Sequence, residues 1–204
     1  MALRHRGADG IPRKQKTEKM TCIVGYLKDD TVYMGSDSAA VSDIDITVRQ
    51  DEKMFVNGEI VIGCTTSFRM IQILRYSFVP PKITGTDLHK YMCTAFIDKV
   101  RDAFVAGGFD PSSFEDEGPM FLVGVRNRIF VVETDYQVGE HVDGIYGIGC
   151  GGDYAMSALK AYSETDTSPE KAVIGALKIA THYSGGVRPP YLLYDGKANK
   201  IKKI

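Results

Sequence analysis

Thr21, Asp37 sixteen residues later and Lys53 sixteen after that supply the side-chain types from which a hydrolase can be assembled. Met20 directly precedes Thr21, so a cut between them would put a hydroxyl nucleophile and a free α-amine on one residue. A threonine hydroxyl is a weak nucleophile at neutral pH, whereas an α-amine with an ordinary pKa of roughly 7.7–8.0 suits general-base work. A lysine beside that hydroxyl stays cationic, lowers the cost of the developing alkoxide and helps keep the amine neutral. A carboxylate beside the lysine fixes its position and charge. Cys22 becomes the terminal nucleophile only if the cut falls one residue later, and the spacing to Asp37 and Lys53 then slips by one.

These side chains need strands to hold them. Thr21 to Leu27 is rich in β-branched and apolar residues, Asp29-Asp30 marks a turn, and Thr31 to Met34 resumes the pattern as a hairpin partner. Asn57-Gly58 signals a second hairpin between Lys53–Val56 and Ile60–Cys64, which puts Lys53 on a strand. Ser67 opens a helix with Met70, Ile71, Ile73 and Leu74 inward, stopped by Pro80-Pro81. Thr86 or Asp87 caps a longer helix whose inner face reads Leu88, Met92, Ala95, Phe96, Lys99, Val100 and Phe104, closed by Gly107-Gly108.

The second half repeats this order. Met120–Val125 and Ile129–Glu133 are strands joined at Arg126-Asn127-Arg128, and short strand material follows from Tyr136 to Gly147. One helix starts near Gly152 and buries Ala155, Ala158, Leu159 and Tyr162. Another starts at Ser168-Pro169 and buries Val173, Ala176, Leu177 and Ala180, before a last strand at Tyr191–Tyr194. Strands, two helices, strands, two helices and a strand predict two stacked sheets with helix pairs outside: an α+β protein built as a four-layer α/β/β/α sandwich.

With 204 residues, 44% hydrophobic and 25% charged, the chain suits one globular domain. A net charge of −1 leaves no electrostatic footprint for nucleic acid. No apolar run approaches the roughly 20 residues of a membrane span, and the N-terminus lacks the apolar centre of a secretory signal, so a cytoplasmic location is expected. Cys22, Cys64, Cys93 and Cys150 are far apart and without ligand spacing, which predicts reduced thiols and neither metal nor cofactor. Residues 1–20 carry Arg4, Arg6, Arg13, Lys14, Lys16 and Lys19 against only Asp9 and Glu18, without apolar periodicity. They read as a disordered extension preceding a domain over 21–204. Two origins stand: a propeptide masking the Thr21 amine, or an upstream start with translation truly beginning at Met20.

Three segments, Thr21-Cys22-Ile23-Val24-Gly25, Gly35-Ser36-Asp37-Ser38 and Asp51-Glu52-Lys53-Met54-Phe55, resemble the beginning of a proteasome β-subunit or of its bacterial relative, the HslV peptidase. Farther on, Gly147 to Ala155 resembles the family's Gly-Ser-Gly loop and its helix, and Tyr183-Ser184-Gly185-Gly186 the end of the next helix. The resemblance implies the four-layer fold and a threonine peptidase with Thr21, Asp37, Lys53 and Ser184 as catalytic residues. It also implies a ring-forming homo-oligomer that receives unfolded polypeptide from an ATP-dependent unfoldase.

The chain departs from that pattern at supporting positions. A glycine whose amide serves the oxyanion is expected near Thr66 or Ser67 and is absent, although a backbone N–H survives the change. Cys150 stands where the family has a serine near the α-amine, and a thiol is the weaker hydrogen-bonding group. Ser184 matches the second supporting serine, but the aspartate three residues before it is Thr181, with His182 alongside as a candidate substitute. Two other readings therefore remain: a catalytically silent ring or scaffold subunit, and an amidase acting on a small non-peptide amide.

Overall fold

The computed structural model describes residues 21–42, 45–109 and 118–204; the expectations for residues 1–20 lie outside the described residues. A five-stranded antiparallel sheet runs in the order β10 (Ile145–Ile148), β1 (Ile23–Lys28), β2 (Thr31–Ser36), β11 (Leu192–Asp195), β12 (Lys200–Lys203). A second one runs β5 (Met54–Asn57), β6 (Ile60–Cys64), β7 (Phe121–Val125), β8 (Arg128–Val132), β9 (Val138–Gly139). Helices α4 (Gly152–Ser163) and α5 (Pro169–Tyr183) pack on the first sheet. Helices α1 (Phe68–Tyr76), α2 (Leu88–Tyr91) and α3 (Ile97–Ala106) pack on the second.

Strand periodicity explains why both sheets read as nearly unbroken apolar runs, since alternate residues serve opposite buried faces. In the first sheet Val24, Tyr26, Tyr33 and Leu193 face α4 and α5. Their neighbours Ile23, Val32, Met34 and Leu192 meet Val61, Leu122, Ile129 and Val131 of the second sheet. There Ile62, Val123, Phe130 and Val132 turn to α1–α3. Each fully buried side chain of this size contributes about 1.5–3 kcal/mol, so losing either face of a central strand would undo the register.

Local signals act where the sequence places them. The Ser67 hydroxyl accepts from the Arg69 N–H at 3.2 Å, and the Asp87 carboxylate accepts from the Lys90 N–H at 3.0 Å. Asn57, the last residue of β5, donates to the carbonyls of Leu74 and Phe78 at 3.2 and 3.0 Å and so satisfies groups at the end of α1.

Several expectations are corrected. Helix 88–106 is interrupted by a π-helical turn at Met92–Phe96; its wider winding rotates Ala95 and Lys99, expected inward, to the exposed face while Met92, Phe96 and Ile97 stay buried. Lys53 and Thr21 lie just ahead of β5 and β1 instead of inside them. A separate hairpin, β3 (Ala39–Ser42) with β4 (Asp45–Val48), and the edge strand β12 were not foreseen. Strand β4 is exposed throughout and the Lys200-Ile201-Lys202-Lys203 strand is charged, so neither carries the apolar alternation that marks a strand in sequence.

Candidate active site

Thr21, Asp37 and Lys53 converge at one end of the two sheets. The first hairpin sets Asp37 beside the start of β1: the Asp37 N–H donates to the Cys22 carbonyl at 3.1 Å, and the Cys22 N–H donates to Asp37 Oδ1 at 3.1 Å. Lys53 is tied to the second sheet by the Cys64 N–H, which donates to its carbonyl at 2.9 Å. Across the gap between the sheets, Lys53 Nζ donates to Thr21 Oγ1 at 2.8 Å and to Asp37 Oδ1 at 2.7 Å. All three residues are buried, with relative exposures of 6%, 0% and 2% for Thr21, Asp37 and Lys53.

Burial pushes the Lys53 ammonium below the ordinary lysine range, and the Asp37 carboxylate opposes that fall through its charge and hydrogen bond. Asp37 is itself held from four sides. Besides Lys53 and Cys22, the Ala39 N–H donates to Oδ2 at 2.9 Å and the Arg188 N–H at 3.2 Å. The loop bearing Arg188 is docked by the Ser38 N–H, donating to the Arg188 carbonyl at 3.0 Å, and by the Ser38 hydroxyl, donating to the Pro190 carbonyl at 2.6 Å. Sequence reading missed Arg188: its contribution is a backbone amide 151 residues away, and side-chain chemistry carries no trace of it.

The Thr21 backbone is fixed by the loop before α4. The Gly151 N–H donates to the Thr21 carbonyl at 3.1 Å. Gly149 has φ +87°, and a Cβ there would fall 2.3 Å from the Thr21 carbonyl oxygen, so glycine is required on both counts. Burial raises the Cys22 thiol well above the ordinary cysteine range, with the Asp37 charge adding to it, which leaves Cys22 a packing residue.

The remaining sequence candidates divide. Cys150 and Ser184 meet, Sγ to Oγ 3.1 Å. The Thr181 hydroxyl instead pairs with Tyr191 Oη at 2.8 Å, so no hydrogen bond links it to the Thr21, Asp37 and Lys53 set. His182 is exposed, edge-on to Tyr183 at 4.7 Å, and replaces no carboxylate at the site. Thr66 and Ser67 border a cavity of about 20 Å³ beside Thr21 and Lys53, with Phe68 at its rim under the Arg49 guanidinium. The Ser67 N–H, a candidate oxyanion donor, is engaged by the Thr65 carbonyl at 2.9 Å. A larger cavity of about 320 Å³ lies at the opposite sheet end between the turns at Asp30 and Arg126, away from these groups.

A cation bridging a hydroxyl and a carboxylate can stabilise an alkoxide, and solved structures carry the same architecture. BPH of Thiobacillus denitrificans superposes with a TM-score of 0.71 at 17% identity, covering 90% of this chain and 98% of that one. The eukaryotic HslV of Trypanosoma brucei gives 0.61 at 18%, covering 90% and 100%. An Anbu variant from Hyphomicrobium sp. strain MC1 gives 0.65 at 17%, covering 90% and 87%. The fold is the one that BPH, HslV and Anbu share. No protein-family model matches the chain. A solved structure of BPH in complex with epoxomicin aligns over 90% of this chain and 98% of that one at 16% identity with a TM-score of 0.71.

Proposed function

We propose that this chain is a threonine-type peptidase subunit in which Thr21, freed of residues 1–20, is the nucleophile. The observation that carries the reading is the buried Lys53 ammonium, within hydrogen-bonding distance of Thr21 Oγ1 at 2.8 Å and Asp37 Oδ1 at 2.7 Å. Thr21 Oγ attacks a peptide carbonyl as its proton passes to the α-amine; the carbonyl π pair moves onto oxygen. The amine then protonates the departing amide nitrogen, and water hydrolyses the ester on the same base. Lys53 stabilises the alkoxide, Asp37 positions Lys53, and the role given to the Ser184–Cys150 pair is to steady the α-amine. The three hydrophobic clusters support a four-layer α/β/β/α stacking of a single domain over 21–204. On the same reading the subunit assembles with copies of itself into a cytoplasmic ring fed with unfolded polypeptide by an ATP-dependent unfoldase.

The engaged Ser67 N–H favours a second reading, a catalytically silent ring subunit. Intact-mass analysis separates the two. A peptidase gives a chain beginning at Thr21 that takes one equivalent of an epoxyketone, and Thr21→Ala abolishes the label while assembly is kept. A mature chain retaining residues 1–20 and refusing label supports the silent subunit. Turnover of small acyl amides, with no cleavage anywhere in a peptide library, points instead to an amidase. Lys53→Ala costs more activity than Cys150→Ser; the reverse order would refute the role given to Lys53.

A further inference from the structure

The turn from Thr65 to Ser67 is under backbone strain at the wall of the site. Thr66 has φ +74°, a left-handed conformation that a β-branched side chain disfavours. The Ser67 N–H closes back onto the Thr65 carbonyl at 2.9 Å. An i to i+2 bond around a positive-φ residue is the rare, strained form of the γ-turn. Such a conformation persists only where its surroundings over-determine it. Here the Thr65 N–H and hydroxyl both donate to the Met120 carbonyl at 3.1 Å, Thr66 Oγ1 lies 3.1 Å from Thr65 Oγ1, and Ser67 caps α1. The two ends of the turn are anchored and the strain falls on Thr66 alone.

We propose that Thr66 is a positioning residue that holds the Ser67 N–H in reserve. In the resting turn that donor is bonded to Thr65; in the reacting turn Thr66 returns to negative φ and the N–H swings to the oxygen of the carbonyl that Thr21 attacks. The inference rests on the threonine-peptidase reading and refines it. Forming the bond from Thr21 Oγ to the carbonyl carbon places the π pair on oxygen, and the relocated N–H receives that charge as the Thr21 proton passes to the α-amine. One internal hydrogen bond is exchanged for one to the oxyanion, and relief of strain at Thr66 assists the exchange. The occupied donor is then a resting state and not a sign of lost chemistry.

The test compares the wild type with Thr66→Gly and Thr66→Val. Glycine adopts positive φ without steric cost, so it favours the resting turn and acylation of Thr21 by a β-lactone should be about tenfold slower. Valine keeps the branched strain but deletes the hydroxyl contact with Thr65, so acylation should be about fivefold faster. Hydrogen exchange at the Ser67 amide should follow the same order: valine, wild type, glycine. Equal acylation rates in the three proteins, or a faster glycine variant, overturn the proposal while leaving Thr21 as nucleophile. Failure of all three to acylate overturns the peptidase reading instead. In that case exchange still judges the turn: a Ser67 amide as labile as an unbonded one refutes the resting bond.

Discussion

Replacing Asp37 by asparagine keeps the shape of the side chain and removes the counter-charge of Lys53. In the wild type Lys53 is 2% exposed and its partner carboxylate is fully buried, 2.7 Å away. Breaking a buried pair on one side typically costs roughly 3–5 kcal/mol, because the remaining charge is left uncompensated. The amide also turns one acceptor oxygen into a donor, facing backbone N–H groups that now use both oxygens: Cys22 on Oδ1, Ala39 and Arg188 on Oδ2. Against a total stability of about 5–15 kcal/mol, the variant should fold with a greatly reduced margin. With a urea m-value of about 2 kcal/mol/M, the midpoint should fall by roughly 2 M. The loss should shrink as pH rises. Burial already depresses the Lys53 pKa, and without Asp37 it drops further. The unfolded state therefore binds more protons between the lowered folded value and the ordinary lysine value, and stability climbs with pH across that window. Asp37→Asn/Lys53→Met, with no charge left to bury, should regain much of the loss at pH 7. A midpoint change below about 0.5 M at pH 7, or a loss that grows with pH, would refute the idea of a buried, charged lysine held by this carboxylate.

Other perturbations probe the surroundings of the site. Ser36 Oγ is buried with no hydrogen-bond partner among the described residues, so Ser36→Ala should leave the melting temperature unchanged or raise it by up to about 4 °C; a clear drop would reveal an unseen partner. Gly149→Ala meets both the positive φ and the 2.3 Å approach to the Thr21 carbonyl. It should cost roughly 2–4 kcal/mol in urea unfolding and suppress labelling of Thr21, and wild-type behaviour would show that this loop does not set the position of Thr21. Tyr146 donates to the Ile129 carbonyl at 2.6 Å and accepts from the His141 N–H at 2.8 Å, and burial pushes its phenol up to about 12. Tyr146→Phe should lose about 1–3 kcal/mol at neutral pH. Because the folded-state pKa is raised, that advantage is present below the ordinary phenol range and disappears as pH passes the folded value, so the two stability curves should converge in alkali.

Much of the fold could be read from local pattern. Asn57-Gly58 gave its hairpin, Ser67 and Asp87 gave their caps, and Ser168-Pro169 gave the start of α5, because turns and helix ends depend on a few adjacent residues. The π-helical turn at Met92–Phe96 was not legible, since 3.6-residue periodicity fits those apolar residues equally well until packing selects the wider turn. Strands β4 and β12 were hidden because exposed or charged strands lack the alternation that burial imposes.

The sequence by itself determined which groups are on offer: Thr21 after Met20, with Asp37 and Lys53 at equal spacing, supplies a hydroxyl, a carboxylate and a cation through side-chain chemistry alone. Only the tertiary structure decided that Lys53 bridges the other two, that the backbone amide of Arg188 grips Asp37, that Thr181 turns to Tyr191, and that the Ser67 N–H is spoken for. Lys53 and Thr181 find their partners only when distant segments are brought together, so spacing along the chain does not record the pairing. Backbone donors such as those of Arg188 and Ser67 are identical in every residue except proline, so their direction is set by where two sheets and a distant loop come to rest, and no residue type records it.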